Sequence, residues 1–204
     1  MYSTRSGLVL GFHGCDESVA LKVLTGEEFL KRSVNNYDWL GHGLYFWENS
    51  PSRAMEFAVH LQKFPVRSKG KIEMPAVIGA VIDLGFCLDL LDFDNLQLLQ
   101  TTYYDALLSA SNFVDFPENK SIGGMGDLLL RELDCAVIET LHTLREDSHQ
   151  QPFDSIRGIF SEGEELYPNA GFRKKDHIQL CVRNPNCIKG FFLPRKLNFD
   201  YPKV

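Results

Sequence analysis

The chain has 204 residues, of which 44% are hydrophobic, and its 27 acidic and 21 lysine or arginine side chains give a formal net charge of -6 at pH 7. This charge excludes the broad positive field by which non-specific nucleic-acid-binding proteins neutralise phosphates. It leaves room for a local basic patch, for which the nearest candidate is Arg173-Lys174-Lys175, although so short a run is typical of a solvated loop. The length suffices for one substantial core, and we predict a single domain over residues 1–204.

Cysteine usage and the first residues indicate the compartment. The five cysteines are odd in number and lack CxxC spacing, which argues against a disulfide framework and a zinc site and favours a reducing environment. The apolar run at 8–12 is too short for a secretion signal or a membrane span. We therefore predict a cytoplasmic protein with no metal site and no membrane partner.

The first half of the chain predicts two strands, each followed by a helix. An apolar run predicts a strand over 8–13, and the residues after it favour a helix over 18–24. Glycines followed by aromatic residues predict a second strand within 41–47. A serine–proline start and apolar residues at helical spacing then predict a helix over 51–62.

The second half predicts further strands, separated by helices and by one long irregular stretch. We predict strands at 75–90, 135–140, 177–182 and 188–193, and helices at 95–111 and 126–133. The stretch 146–175 contains prolines, glycines and charged residues, with a weak strand signal at 156–160. Long irregular stretches within compact domains are more often functional than idle, so we expect this one to border a site.

Three short motifs lie at the ends of predicted strands. They are Phe12-His13-Gly14, Gly41-His42-Gly43-Leu44-Tyr45-Phe46 and His177-Ile178-Gln179-Leu180-Cys181-Val182-Arg183-Asn184-Pro185. Together they resemble the His-Tyr-Glu pattern of diphtheria-toxin-like and poly(ADP-ribose)polymerase-like ADP-ribosyltransferases, in order across nearly the whole chain, although the helical middle matches no motif. The resemblance implies an α+β fold, an ADP-ribosyltransferase-like split β-sandwich of two small, mostly antiparallel sheets flanked by helices around an NAD cleft.

The resemblance also implies NAD as co-substrate and assigns residues to it. Tyr45 would offer an aromatic face to the positively charged nicotinamide ring, and backbone groups of Gly14 would hold the carboxamide. His13 would contact the adenosine ribose. Ser52 resembles the serine that holds the carboxamide, although it is one residue closer to Tyr45 than usual and Arg53 is the ungapped match. His13 and Tyr45 would thus belong both to the cofactor site and to the catalytic set.

The third catalytic position departs from the pattern. Alignment through Asn184-Pro185 places Gln179 where the transferases usually have glutamate. A carboxylate stabilises the oxocarbenium-like state in which the nicotinamide–ribose bond breaks, and a neutral amide does not. Gln179 retains the capacity to orient a ribose hydroxyl. The resemblance therefore favours transfer of a single ADP-ribose unit over chain elongation.

An alternative is that another part of the chain supplies the carboxylate that Gln179 lacks. Glu162 and Glu164 have the E-x-E spacing of a sister branch of transferases, in which that motif lies much closer to the final strand. A solvated acidic loop is the simpler interpretation of these two residues. If Gln179 is the true third member, removal of the Glu162 carboxylate leaves NAD cleavage unaltered.

The leading hypothesis is a mono-ADP-ribosyltransferase, of a toxin, defence or regulatory type, with a macromolecular acceptor and a regulatory protein partner. The acceptor is either a protein or a nucleic acid that contacts Arg157, Arg173, Lys174 and Lys175. The alternatives are a non-catalytic NAD- or ADP-ribose-binding module and an NAD glycohydrolase. A purely structural protein is the plainest alternative, since a histidine at a strand end and a tyrosine in an aromatic run are most often structural.

Overall fold

We describe the fold from a computed structural model, in which residues 7–65, 71–109, 116–121 and 127–202 are described. The strands are β1 (Val9–Asp16), β2 (Leu44–Glu48), β3 (Pro75–Ile82), β4 (Cys87–Asp89), β5 (Asn119–Ser121), β6 (Leu128–Arg131), β7 (Ser155–Phe160), β8 (His177–Val182) and β9 (Ile188–Phe192). The α-helices are α1 (Glu17–Thr25), α2 (Pro51–Lys63), α3 (Phe93–Thr101) and α4 (Glu132–Asp147). This content confirms the predicted α+β class.

The larger sheet has seven strands in the order β4-β7-β8-β2-β1-β3-β9, and β5 pairs with β6 separately. Its neighbours are antiparallel except for β4 and β7, which are parallel. The ladder between β1 and β2 contains only the pairs Gly11–Glu48 and Phe12–Trp47. Since β1 continues to pair with β3 as far as Asp16, β1 and β2 separate after Phe12. The sheet is thereby nearly divided between these two strands.

One face of the sheet packs against α1. Phe46, Ile78 and Leu180 lie on this face and are fully buried. Ala20 and Val23 of α1 join them in one apolar cluster. Strand residues alternate between faces, so the residues that flank Phe46 point to the opposite side.

The opposite face, which we call the α2 face, is covered by two helices. Trp47 packs with Ala54 of α2. Cys181 packs with Ile138 and Leu141 of α4. The part of this face formed by β2 and β8 therefore lies between the two helices.

Two predictions for the middle of the chain are wrong. The sequence predicts a helix over 126–133, of which residue 126 lies outside the described part, but β6 occupies Leu128–Arg131 and the helix begins at Glu132. Residues 135–140 were expected to form a strand, but they lie within α4. The apolar run at Cys135–Ile138 is continued by Leu141, and this helical spacing buries one side of α4.

Other predicted elements differ only in extent. The predicted strand 75–90 is two strands, because Gly85 turns the chain with a φ of 58° between β3 and β4. The predicted helix 95–111 comprises α3 and a π-helical segment, Thr102–Leu108, and its last two residues lie outside the described part. The weak strand signal at 156–160 corresponds to β7.

The cysteine side chains form no disulfide bonds. All five cysteines are free and buried. Burial raises the pKa of Cys15 and Cys187 to about 11 and that of Cys135 to about 12, so these thiols are protonated at neutral pH. Within the described ranges, no helix has both the length and the apolar character needed to cross a membrane.

Asp16 joins β1, α1 and the start of β3. Its carboxylate accepts hydrogen bonds from the Ser18 backbone N–H (3.0 Å) and from the backbone N–H groups of Glu73 (2.8 Å) and Met74 (2.9 Å). A hydrogen bond from the Ser18 hydroxyl, together with these backbone bonds, holds the pKa of Asp16 well below its usual range.

We expect Asp16→Ala to lower the free energy of unfolding by about 1–2 kcal/mol, because the helix loses its N-cap and two further N–H groups lose their acceptor. Denaturant unfolding measures the change, with the exposed neighbour Glu17→Ala as the control. A loss no larger than that of the control contradicts this role.

Candidate functional site

His13 lies where β1 and β2 separate. Its Nδ1 is 2.8 Å from the backbone oxygen of Tyr45. A carbonyl oxygen only accepts hydrogen bonds, so Nδ1 carries the hydrogen and Nε2 has the lone pair. Burial lowers the pKa of His13, which keeps the ring neutral at pH 7. The structure thus brings two of the predicted residues together, through a bond between the two halves of the sheet.

Tyr45 uses its hydroxyl within the fold. The hydroxyl donates to the Gly41 oxygen (2.6 Å) and accepts from the Leu40 N–H (2.8 Å). The phenol lies on the α2 face opposite Cys181, whereas the His13 ring contacts Phe46 on the other face with 5.9 Å between ring centroids. The predicted stacking of Tyr45 on a nicotinamide ring remains a prediction.

Gly14 and Ser52 have different surroundings from those that the motif implies. A Cβ atom at Gly14 would collide with the Ala54 carbonyl oxygen, so this glycine allows α2 to approach β1. Ser52 is exposed on α2. Arg53, the next residue, points toward the sheet instead, with its Cζ 5.7 Å from the centroid of the Trp47 ring.

Gln179 belongs to a cluster on the α2 face. We call Trp47, Arg53, Glu162, His177 and Gln179 the Trp47 cluster. Trp47 is opposite Gln179 in the β2–β8 ladder, and its ring centroid is 6.3 Å from that of His177. One carboxylate oxygen of Glu162 is 3.0 Å from Nη2 of Arg53 and 3.5 Å from Nδ1 of His177. The cluster therefore joins β2, β8, α2 and the segment that follows β7.

Buried polar atoms without partners are concentrated in this cluster. Trp47 Nε1, Arg53 Nε, His177 Nε2 and Gln179 Oε1 are inaccessible and make no hydrogen bond. Each such atom costs about 1–3 kcal/mol when it is left unpaired, and native proteins contain few of them. In the described part of the chain, His142 Nε2 on α4 is the one other such atom. A group of four on one face points to a ligand site.

Glu162 supplies a buried carboxylate to the cluster. The residue is 8% exposed. Burial raises the pKa of its carboxyl, and the adjacent Arg53 guanidinium opposes this shift. Glu164 is exposed and pairs with Lys174 at 2.7 Å. Of the two E-x-E glutamates, Glu162 is therefore the one that reaches the site.

The positive residues proposed to contact a nucleic acid are all paired. Arg173 pairs with Asp127 (2.6 Å), Lys174 with Glu164 (2.7 Å) and Lys175 with Glu56 (2.8 Å). Arg157 is only 4% exposed and forms hydrogen bonds to Glu48 and Asp89. The guanidinium of Arg157 is thus buried and occupied by two carboxylates, and its contact with an acceptor stays a prediction.

Three cluster members were not predicted as site residues. Arg53 was the ungapped match to the family serine, and His177 begins the third motif, so both had a signal in the sequence. Trp47 had none beyond its place in an aromatic run. The presence of a carboxylate depended on the path of the segment 161–176, which local sequence does not determine.

Two cavities lie beside α4 and are lined by none of the predicted site residues. Their volumes are about 380 and 560 Å³. His42, to which the motif assigned no role, lines the larger one together with Glu139. The Glu139 carboxylate binds the His42 backbone N–H at 2.8 Å and the Arg183 guanidinium at 2.5 Å, so the polar groups there are partnered.

The described residues include no group of three or more histidine, cysteine, aspartate or glutamate side chains placed to hold a metal ion.

Comparison of the chain with protein-family models, curated proteins and solved structures finds no match.

Buried histidines make the stability depend on pH. Burial lowers the pKa of His13, His142 and His177 below the ordinary value of 6.5. The unfolded chain therefore binds protons near pH 6.5 that the folded chain does not bind. We expect the free energy of unfolding to decrease as the pH falls below this value.

Denaturant unfolding at pH 7.5 and pH 5.0 tests this dependence, and we expect the loss to be smaller in His142→Gln. The exposed His149→Asn is the control, because asparagine suits its φ of 53°. An equal loss in all three proteins contradicts the assignment to His142.

Proposed function

We propose that the chain is a mono-ADP-ribosyltransferase, which moves ADP-ribose from NAD to a macromolecule and releases nicotinamide. The motif resemblance supplies the class of reaction. The observation that carries the proposal is the Trp47 cluster, in which the buried Glu162 carboxylate and the inaccessible Gln179 amide oxygen lie beside other polar atoms that lack partners.

The division of the sheet supports the proposed fold type, a split β-sandwich. β1 and β2 share two residue pairs, and the ladders on either side of them are longer. His13 and Tyr45 meet at the point of separation. The His13 ring points to the α1 side of the sheet and Gln179 to the α2 face, so a dinucleotide that contacts both would pass through the gap where β1 and β2 separate.

In this proposal three residues contact different parts of NAD. His13 Nε2 accepts a hydrogen bond from a hydroxyl of the adenosine ribose, and Gln179 orients the nicotinamide ribose. The bond between C1′ and the nicotinamide nitrogen breaks, its electron pair leaves with neutral nicotinamide, and the positive charge that develops on the ribose is stabilised by Glu162. The acceptor then forms the new bond to C1′ and loses its proton.

A protein acceptor fits the surface better than a nucleic acid. Arg173, Lys174 and Lys175 each lie beside a carboxylate, which lowers the local positive potential that would attract phosphates. Treatment of a labelled product with protease or nuclease distinguishes the two acceptor classes.

A non-catalytic NAD-binding module is the second candidate. Gln179 is neutral, and the charge of Glu162 is balanced by Arg53 at 3.0 Å, so both observations weaken electrostatic stabilisation of the ribose. This candidate predicts NAD binding without release of nicotinamide. An NAD glycohydrolase, by contrast, releases nicotinamide but labels no macromolecule.

The test compares the two glutamates of the E-x-E pair. We expect Glu162→Gln to reduce nicotinamide release on the order of 100-fold, because it removes charge stabilisation from the transition state. Glu164→Gln is the matched control from the same segment and should react like the wild type. Equal rates for the two variants contradict the role of Glu162.

Transfer itself is tested by incubating each protein with a cell extract and NAD labelled in its ADP-ribose part. We expect macromolecular labelling by the wild type and a severe loss in His13→Ala and Gln179→Ala, because the two ribose contacts are removed. Thermal unfolding checks that the variants fold. Equal labelling by all three proteins contradicts the site.

A further inference from the structure

We infer that the Trp47 cluster binds the carboxamide of nicotinamide through side chains of Trp47, Arg53, His177 and Gln179. This inference rests on the proposed use of NAD and deepens it. It departs from the motif resemblance, which gives the carboxamide to the backbone of Gly14 and to Ser52.

The unpaired atoms of the cluster have a defined hydrogen-bonding character. Trp47 Nε1 and Arg53 Nε carry hydrogens and are donors, and Gln179 Oε1 is an acceptor. His177 Nδ1 lies 2.7 Å from the Lys175 carbonyl oxygen, so Nδ1 holds the hydrogen and Nε2 is an acceptor in the neutral ring. The cluster therefore offers two donors and two acceptors.

A primary carboxamide has the complementary set. Its oxygen accepts two hydrogen bonds and its amino group donates two. A carboxylate in the same place only accepts, and it would leave Gln179 and His177 unpaired. The Arg53 guanidinium and the His177 ring both lie within 6.3 Å of the Trp47 ring centroid, and such planar groups suit an aromatic ligand.

The alternative carboxamide site is poorly placed. A Cβ atom at Gly14 would collide with the Ala54 carbonyl oxygen, so α2 covers Gly14 on the α2 face of the sheet. Ser52 is exposed on the helix, away from the sheet. The ungapped match, Arg53, occupies the inward position that the motif gives to serine.

Entry of the ligand requires a shift of the segment 161–176. The polar atoms of the cluster are inaccessible in this structure, and two ion pairs join the segment to α2. These are Arg53–Glu162 at 3.0 Å and Lys175–Glu56 at 2.8 Å. Glu56 and Lys175 are partly exposed, so their pair contributes little to stability. The buried Arg53–Glu162 pair must also separate for the ligand to enter, and this step costs more.

The first experiment measures binding of nicotinamide and benzamide by calorimetry, with nicotinic acid and benzoate as the matched acids. We expect the wild type to bind both carboxamides and to discriminate against both acids by at least 10-fold. Equal binding of amides and acids, or no binding of any of the four, overturns the inference.

The second experiment uses the two tryptophans of the chain. Trp47→Phe removes the unpaired N–H and keeps an aromatic ring, and we expect it to weaken nicotinamide binding about 3- to 10-fold. Trp39→Phe is the control: the Trp39 ring also lies 6.3 Å from the His177 ring, but its N–H already donates to the Leu129 oxygen at 3.0 Å. Thermal unfolding shows whether each variant folds, and Gln179→Leu repeats the test at an acceptor.

The outcomes separate this inference from the proposed function. If the wild type cleaves NAD but both variants bind nicotinamide like the wild type, the inference fails and the proposed function stands. If the wild type binds carboxamides selectively and the variants lose binding, but NAD is not cleaved, the inference stands and the transferase proposal fails.

Discussion

The ion pair between Arg53 and Glu162 is the contact on which the arrangement of the site depends. It holds the segment after β7 against α2, and so places a carboxylate on the α2 face of the sheet. Without it, the segment would have no buried charge to anchor it, and the cluster would contain only neutral groups and one cation. A buried ion pair is expensive to desolvate. Its position beside four unpaired polar atoms therefore favours a functional role over a stabilising one.

The division of the sheet and the cluster are linked through β2. Phe46 and Trp47 are neighbours in sequence and point to opposite faces, so the same strand contributes to the α1-side core and to the site. His13 bridges to the backbone of this strand, and Tyr45 fixes the turn that precedes it through two hydrogen bonds of its hydroxyl. Both contacts hold the start of the strand, two residues before Trp47, which suits a site that depends on donor and acceptor positions.

Local patterns predicted much of the fold and only part of the site. The strand that contains His13, the helix after Ser50 and the strand from His177 follow from short-range periodicity, and the structure has all three. The first of them does not end at His13 as predicted but continues to Asp16. The strand predicted over 135–140 is part of a helix instead, because a short apolar run fits a strand and a buried helix equally well. Arg53 and Glu162 are 109 residues apart. No local pattern in the sequence indicates such a pairing. The E-x-E spacing made Glu162 a candidate, but it did not show that its carboxylate lies beside Arg53.

The most direct test follows the two indole N–H signals in the NMR spectrum of the protein during titration with NAD. Trp39 and Trp47 are the two tryptophans of the chain, so the spectrum contains one indole signal from each, and the Trp47→Phe variant assigns them. Our account predicts that NAD shifts the Trp47 signal strongly and the Trp39 signal little, because only the former gains a hydrogen-bond acceptor. NAD binding that leaves the Trp47 signal unchanged would contradict the account.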